Sequence, residues 1–217
     1  LVNAPEIEKV SFTGEVSTGQ KVMSAASAGL KEVTMELGGK SPLIVFDDAN
    51  IDEAVTAAML GNFYTQGEIC TNCTRVFIHE NIYDQFIEKL VKRTKQNIKA
   101  GDVMNMSTNL GALISEKHMN LVLGYIETGK KEGAKLLTGG HRISSLNGYF
   151  VEPTIFADCT DNMTIVKEEI FGPVMSILKF KGEDGEYLIN PPMDTKVISK
   201  SKIFVLGTDS QIKKLSE

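Results

Sequence analysis

Strand-period and helix-period segments alternate along this 217-residue chain, and that alternation most limits what it can fold into. EKVSFTG reads as a strand ending at a glycine, and residues 17–28 as a helix capped by Ser17 and stopped at Gly29. KEVTMEL sets Val33, Met35 and Leu37 against Glu32, Thr34 and Glu36, which is strand period. LIVF is a short buried strand. Asn50 caps a helix from Ile51 to about Gln66, with Glu53 completing a capping box. TRVFIHE is again a strand. Tyr83, Phe86, Ile87, Leu90 and Val91 then form a helical stripe whose far end gathers Lys92, Arg93, Lys95 and Lys99. Ser115 caps a further helix carrying Met119, Val122, Leu123 and Ile126 and ending near Gly129. AKLLTGG, GYFVEPTIF and PVMSILKF supply strands, residues 181–194 read as loop, and KIFVLGTDSQIKKLSE as one more strand and helix. Helices between successive strands act as crossovers, so the chain is predicted to be α/β: a mostly parallel open sheet with flanking helices.

Composition excludes some functions. The net charge of −5 leaves no basic patch for nucleic acid, and no apolar run approaches the ~20 residues that span a bilayer. Three cysteines, an odd number, argue against a disulfide framework and for a reducing, cytoplasmic setting. The chain opens on Leu1 rather than Met and reads like the middle of a longer one.

QGEICTNCTR holds two cysteines three apart, Cys70 and Cys73. Such a pair is half a zinc site, a dithiol switch, or one nucleophile with a bystander. No second Cys/His pair accompanies it, and His79, His118 and His141 lack ligand spacing. A helix before and a strand after are the reverse of the flanks of a thioredoxin-like dithiol. Cys70 sits just past a glycine where the chain leaves a helix and backbone N–H groups are free, a setting that suits a nucleophile. Cys159, in FADCT, reads as a buried or half-buried structural thiol. Glu36 ends a strand beside Gly38 and Gly39, where open α/β sheets place working residues. FTGEVSTG is a strand–turn–helix unit that aims a helix N-terminus at an anion, though its glycine spacing falls short of either nucleotide fingerprint. EEIFGP sets two carboxylates beside an aromatic and a rigid turn; its bland reading is a surface loop with one buried Phe.

SFTGEVSTGQKV, VTMELGGKSPLIVFDDA, GEICTNCTRVF and EEIFGPV, in that order, resemble the aldehyde dehydrogenase superfamily, and TMELGGKSPLIVFDDA and TIVKEEIFGPVMSIL its betaine aldehyde dehydrogenase branch. The likeness covers about residues 8–180. It implies an enzyme that oxidises a small aldehyde, betaine aldehyde or a similar aminoaldehyde, with NAD or alternatively NADP. Cys70 matches the family's nucleophile, which forms a thiohemiacetal and then a thioester, and Glu36 matches the base that activates the hydrolytic water. Gly14, Glu15, Val16 and Ser17 match the turn at the cofactor pyrophosphate. Leu37 matches the residue by the nicotinamide carboxamide, and Glu169 and Phe171 those that hold the nicotinamide ribose and ring. Leu30 and Glu32 align with a potassium-associated stretch. Family members are homo-oligomers, but their oligomerisation segment is not recognisable here.

The resemblance divides the chain into residues 1–35, the end of the NAD-binding domain; 36–180, the catalytic domain; and 181–217, a divergent tail. The departures are specific. Glu15 stands where a small or neutral residue is common, Glu68 replaces a glutamine, Cys73 replaces a glycine, and no Trp remains to cage a quaternary ammonium. The first strands of the cofactor domain and one oxyanion-donating asparagine are missing. The alternative reading is therefore a truncated, catalytically inactive fragment that retains the catalytic-domain fold.

Overall fold

The computed structural model describes residues 1–183, 186–187 and 204–206, with side chains through Lys181. The chain divides into two compact units, Leu1–Gly39 and a second that opens at Lys40.

The first unit is one β–α–β crossover. β1 (Lys9–Gly14) and β2 (Glu32–Leu37) pair in parallel, with Thr13 opposite Glu36 and Gly14 opposite Leu37, and α1 (Val16–Ser27) connects them. The helix cap lies two residues earlier than the sequence suggests. Glu15, extended at φ −65° and ψ 144°, is the cap position, and Ser17 lies inside the first turn. Gly19 allows α1 to lie close on the sheet, because a Cβ there would sit 2.6 Å from Leu37 Cδ2.

The second unit is built on a six-stranded sheet in the order β10-β3-β4-β7-β6-β5, where β3 is Pro42–Val45, β4 Arg75–His79, β5 Lys135–Thr138, β6 Thr154–Ala157, β7 Val174–Phe180 and β10 Phe204–Leu206. Every pairing is parallel except β5 with β6 at the edge. Strands covered on both faces are mostly apolar, without strict alternation, as PLIV, RVFIH and VMSILKF are. Alternation splits them between two cores. Leu43, Val45, Val76, Ile78, Met175 and Ile177 pack against α2 (Ile51–Phe63) and α3 (Tyr83–Asn97). Ile44, Phe46, Phe77, Val174 and Leu178 pack against Met119, Val122 and Ile126 of α4 (Glu116–Lys131) and against Ile165 and Val166 of the short α5 (Thr164–Lys167).

Two of the three predicted caps bond as expected. Asn50 accepts from the N–H groups of Asp52 and Glu53, and Ser115 from that of His118. Three expectations need correction. α2 stops at Phe63, not Gln66, because Thr65 and Gln66 take left-handed φ of 48° and 59° within a 3₁₀ turn, Tyr64–Gly67. Of GYFVEPTIF only Thr154–Ala157 is strand: Pro153 has no N–H to give a ladder, and Gly148 turns the chain at φ 140°. Within the expected loop, β8 (Gly182–Glu183) and β9 (Glu186–Tyr187) pair as an antiparallel hairpin. The remainder of that loop and the expected closing helix lie outside the described residues.

Candidate active site

The sheet order explains how distant residues of the second unit meet. β3, β4 and β7 are neighbours, and Arg75 is level with both Pro42 and Ser176. The segments entering these strands, Lys40–Ser41, Cys70–Thr74 and Glu169–Pro173, therefore converge at the strands' N-terminal ends. That is the end opposite to the one where an open parallel sheet ordinarily seats a ligand.

The loop before Cys70 is held in a costly conformation. Thr65, Gln66 and Gly67 follow one another with φ of 48°, 59° and 76°, and each non-glycine in that region costs about 1–3 kcal/mol. Surrounding bonds hold it. Gln66 Oε1 accepts from the Gly111 N–H at 2.9 Å, and the Glu68 N–H donates to Thr65 at 3.0 Å. On the far side, the buried Asn62 donates to both Ala58 and Cys73 carbonyls at 2.8 and 3.1 Å, tying α2 to the chain beyond Cys70.

The two cysteines of the C-x-x-C pair occupy different environments. Cys70 is exposed. Cys73 is 5 % exposed, packs in the α2/α3 core beside Gly61, and burial pushes its thiol up to about 11. Cys159 is buried too, and desolvation pushes it up to about 12. No group of three or more His, Cys, Asp or Glu able to hold a metal occurs among the described residues.

The EEIFGP segment reverses the bland expectation, since Phe171 is 37 % exposed and Ile170 is the buried residue. Phe171 takes a left-handed φ of 55°, and its carbonyl accepts a 2.6 Å hydrogen bond from His118 Nε2. The same nitrogen lies 3.7 Å from Glu68 Oε1. Burial raises the Glu68 carboxyl, partly offset by His118, the Ile114 amide and Gln66. Lys40 shows the opposite pattern. The residue is half-buried, and its Nζ is buried and has no hydrogen-bond partner among the described residues. Burial, and then the nearby Arg75 charge, lower it to about 7 against the partial compensation of Glu169, Cys159 and Glu168.

In the first unit Glu36 is exposed on β2, and the Leu37 side chain lies against Gly19. The α1 N-terminus has Glu15 at its cap position and no side-chain cap, and a Cβ at Gly14 would meet the Phe12 ring at 2.7 Å. Leu30 and Lys31 line a cavity of about 630 Å³, and the Lys31 ammonium donates to the Ala4 and Ile7 carbonyls. Glu32 is paired with Lys9 at 3.0 Å.

Sequence reasoning missed Gln66, His118 and Lys40. His118 acts on a residue 53 positions later, so no local spacing signals it.

The aldehyde dehydrogenase family model matches residues 1–190. Betaine aldehyde dehydrogenase of Vibrio vulnificus strain CMCP6 is 58 % identical over 187 residues, 85 % of this chain and 38 % of that protein. Two solved structures resemble the fold: an NAD-dependent aldehyde dehydrogenase from Sinorhizobium meliloti, with TM-score 0.81 and 40 % identity, and an NAD+ complex of an aldehyde dehydrogenase from Bacillus cereus, with TM-score 0.80 and 48 % identity. Each likeness covers 83 % of this chain and 36 % of the other. The chain thus spans less than two-fifths of the length of these relatives.

Proposed function

Because this chain belongs to the aldehyde dehydrogenase family, we propose that it supplies the cysteine nucleophile of an NAD-dependent oxidation of an aldehyde to its carboxylic acid. Betaine aldehyde or a similar aminoaldehyde is the proposed substrate, by similarity to the Vibrio enzyme. The observation that carries the reading is the contrast among thiols: Cys70 alone is exposed, on a loop held in a left-handed conformation, while Cys73 and Cys159 are buried.

The chemistry then follows from this chain's own groups. The Cys70 thiolate adds to the aldehyde carbon, and the carbonyl π electrons move onto oxygen. The Cys70 backbone N–H is the proposed donor to that oxyanion. NAD, when bound, would supply the hydride acceptor; the thiohemiacetal on Cys70 would lose its hydride as the oxyanion electrons reform the C=O, leaving a thioester. Glu36 takes a proton from water as its oxygen adds to the thioester carbon. The C–S bond breaks, and the acid and the Cys70 thiolate are released. Glu36 enters on its motif, 34 residues before Cys70 in the sequence.

Gly14, Glu15, Val16 and Ser17 are the proposed pyrophosphate contacts, Leu37 a carboxamide contact, and Glu169 and Phe171 the ribose and ring contacts. The uncapped N-terminus of α1 and the exposed Phe171 ring suit those roles, whereas the Glu15 carboxylate opposes a phosphate. Leu30 and Glu32 are the proposed potassium-associated residues, on the resemblance of their stretch alone. The free cysteines suit a reducing, cytoplasmic setting.

NADH formation from betaine aldehyde and from an aliphatic aldehyde, by the parent and by Cys70→Ala, tests the reading. Formation that persists without Cys70 overturns it. Absence of formation in both proteins favours the inactive-fragment alternative.

A further inference from the structure

Two loops of the second unit, one carrying the candidate nucleophile and the other Phe171, touch at two places. At the first they meet without side chains. A Cβ on Gly67 would sit 2.2 Å from the Gly172 carbonyl oxygen, and a Cβ on Gly172 would sit 2.7 Å from Val122 of α4. At the second they meet through one imidazole. His118, one turn before Val122 on the same helix, is 2.6 Å from the Phe171 carbonyl and 3.7 Å from Glu68, two residues before Cys70. A carbonyl oxygen only accepts, so Nε2 carries the proton and donates it.

The helix is itself anchored at this point. Ser115 Oγ accepts from the His118 N–H at 3.2 Å, so the residue that bridges the loops also belongs to the capped first turn of α4. Behind it, Met119 and Val122 are fully packed in the core against the sheet. Both loops are in strained backbone at the contact, Phe171 at φ 55° and Thr65–Gly67 at 48° to 76°. Strained segments keep their shape only where neighbours over-determine it. The His118 ring at 17 % exposure is the side chain that reaches both.

We propose that His118 is a positioning residue: it fixes the Phe171 loop against the Cys70 loop and so sets the separation between the nucleophile and the residue that holds the nicotinamide ring. The inference rests on the roles proposed for Cys70 and Phe171, but its test requires no turnover. Hydride transfer depends steeply on the separation of the reacting centres, and a side chain remote from the chemistry can govern it through the loops it joins.

Amide hydrogen exchange and limiting iodoacetamide are applied to the 217-residue parent, His118→Ala and His118→Gln. In His118→Ala, exchange across residues 65–72 and 169–174 is expected to rise together by at least about fivefold, with Cys70 alkylation changed more than about threefold. His118→Gln, whose amide can still donate to the Phe171 carbonyl, is expected to return both to within about twofold of the parent. Faster exchange confined to α4, or identical behaviour of the Ala and Gln variants, overturns the proposal. If neither variant folds, the ¹⁵N-labelled parent decides: a protected Nε2–H imidazole resonance for His118 supports it, and an Nδ1–H tautomer overturns it. Failure of aldehyde oxidation leaves these readouts unaffected, so the two proposals fail separately.

Discussion

Gly67 and Gly172 meet so closely that a single methyl group on Gly67 would lie 2.2 Å from the Gly172 carbonyl oxygen. The obstacle is backbone, and Gly67 also holds φ at +76°, so an alanine there faces both a clash and a disfavoured conformation. Gly67→Ala is expected to lower stability by more than ~2 kcal/mol in urea denaturation. Gly124, in the interior of α4, has nothing within 4 Å of its own added Cβ, so Gly124→Ala is expected to raise stability by ~0.5–1 kcal/mol. Equal effects of the two substitutions would show that the loops are not pressed together.

The thiols should react in a fixed order. Cys70 is exposed, while burial both shields Cys73 and Cys159 and raises their thiols to about 11 and about 12. Limiting iodoacetamide between pH 7 and 9 should therefore label Cys70 first, as peptide mapping will show, with the other two labelled only on unfolding. Equal labelling of Cys70 and Cys73 would instead revive a dithiol or metal site.

Lys40 should make stability depend on pH. Its folded value, about 7, lies below the ordinary 10.5, so between these limits the unfolded chain binds a proton that the folded chain does not. Stability from this group therefore rises with pH across that window, and the cost of burying the ammonium is fully present only below about 7. Lys40→Met removes that cost. Its stability advantage over the parent should shrink by ~1–3 kcal/mol from pH 7 to pH 9, read by urea denaturation at each pH. An advantage that does not change with pH would mean that Lys40 is solvated.

Most elements of the second unit were legible because their signals are local. Asn50 and Ser115 announce helix starts through their own side chains, and LIVF and PVMSILKF announce buried strands through short, mostly apolar runs. Boundaries failed where tertiary contacts set the backbone. Nothing in YTQG predicts three successive left-handed residues, because Gln66 is held there by Gly111, 45 positions away. Cys70 could be singled out by its motif. Its support was legible only in part: Phe171 stands out by its own motif, but Lys40 and His118 are brought to it only by the sheet order and by α4, which sequence spacing does not encode.

The central claim, that Cys70 is the group that becomes acylated, needs no cofactor to test. The protein is mixed with nitrophenyl acetate, the burst and steady release of nitrophenol are followed, and the acetyl group is located by peptide mapping. The account predicts acetyl on Cys70, no burst in Cys70→Ala, an unchanged burst in Cys73→Ala, and a retained burst with slowed turnover in Glu36→Gln. Hydrolysis by Cys70→Ala as fast as by the parent, or acetyl recovered on Cys73 or Cys159, would contradict it.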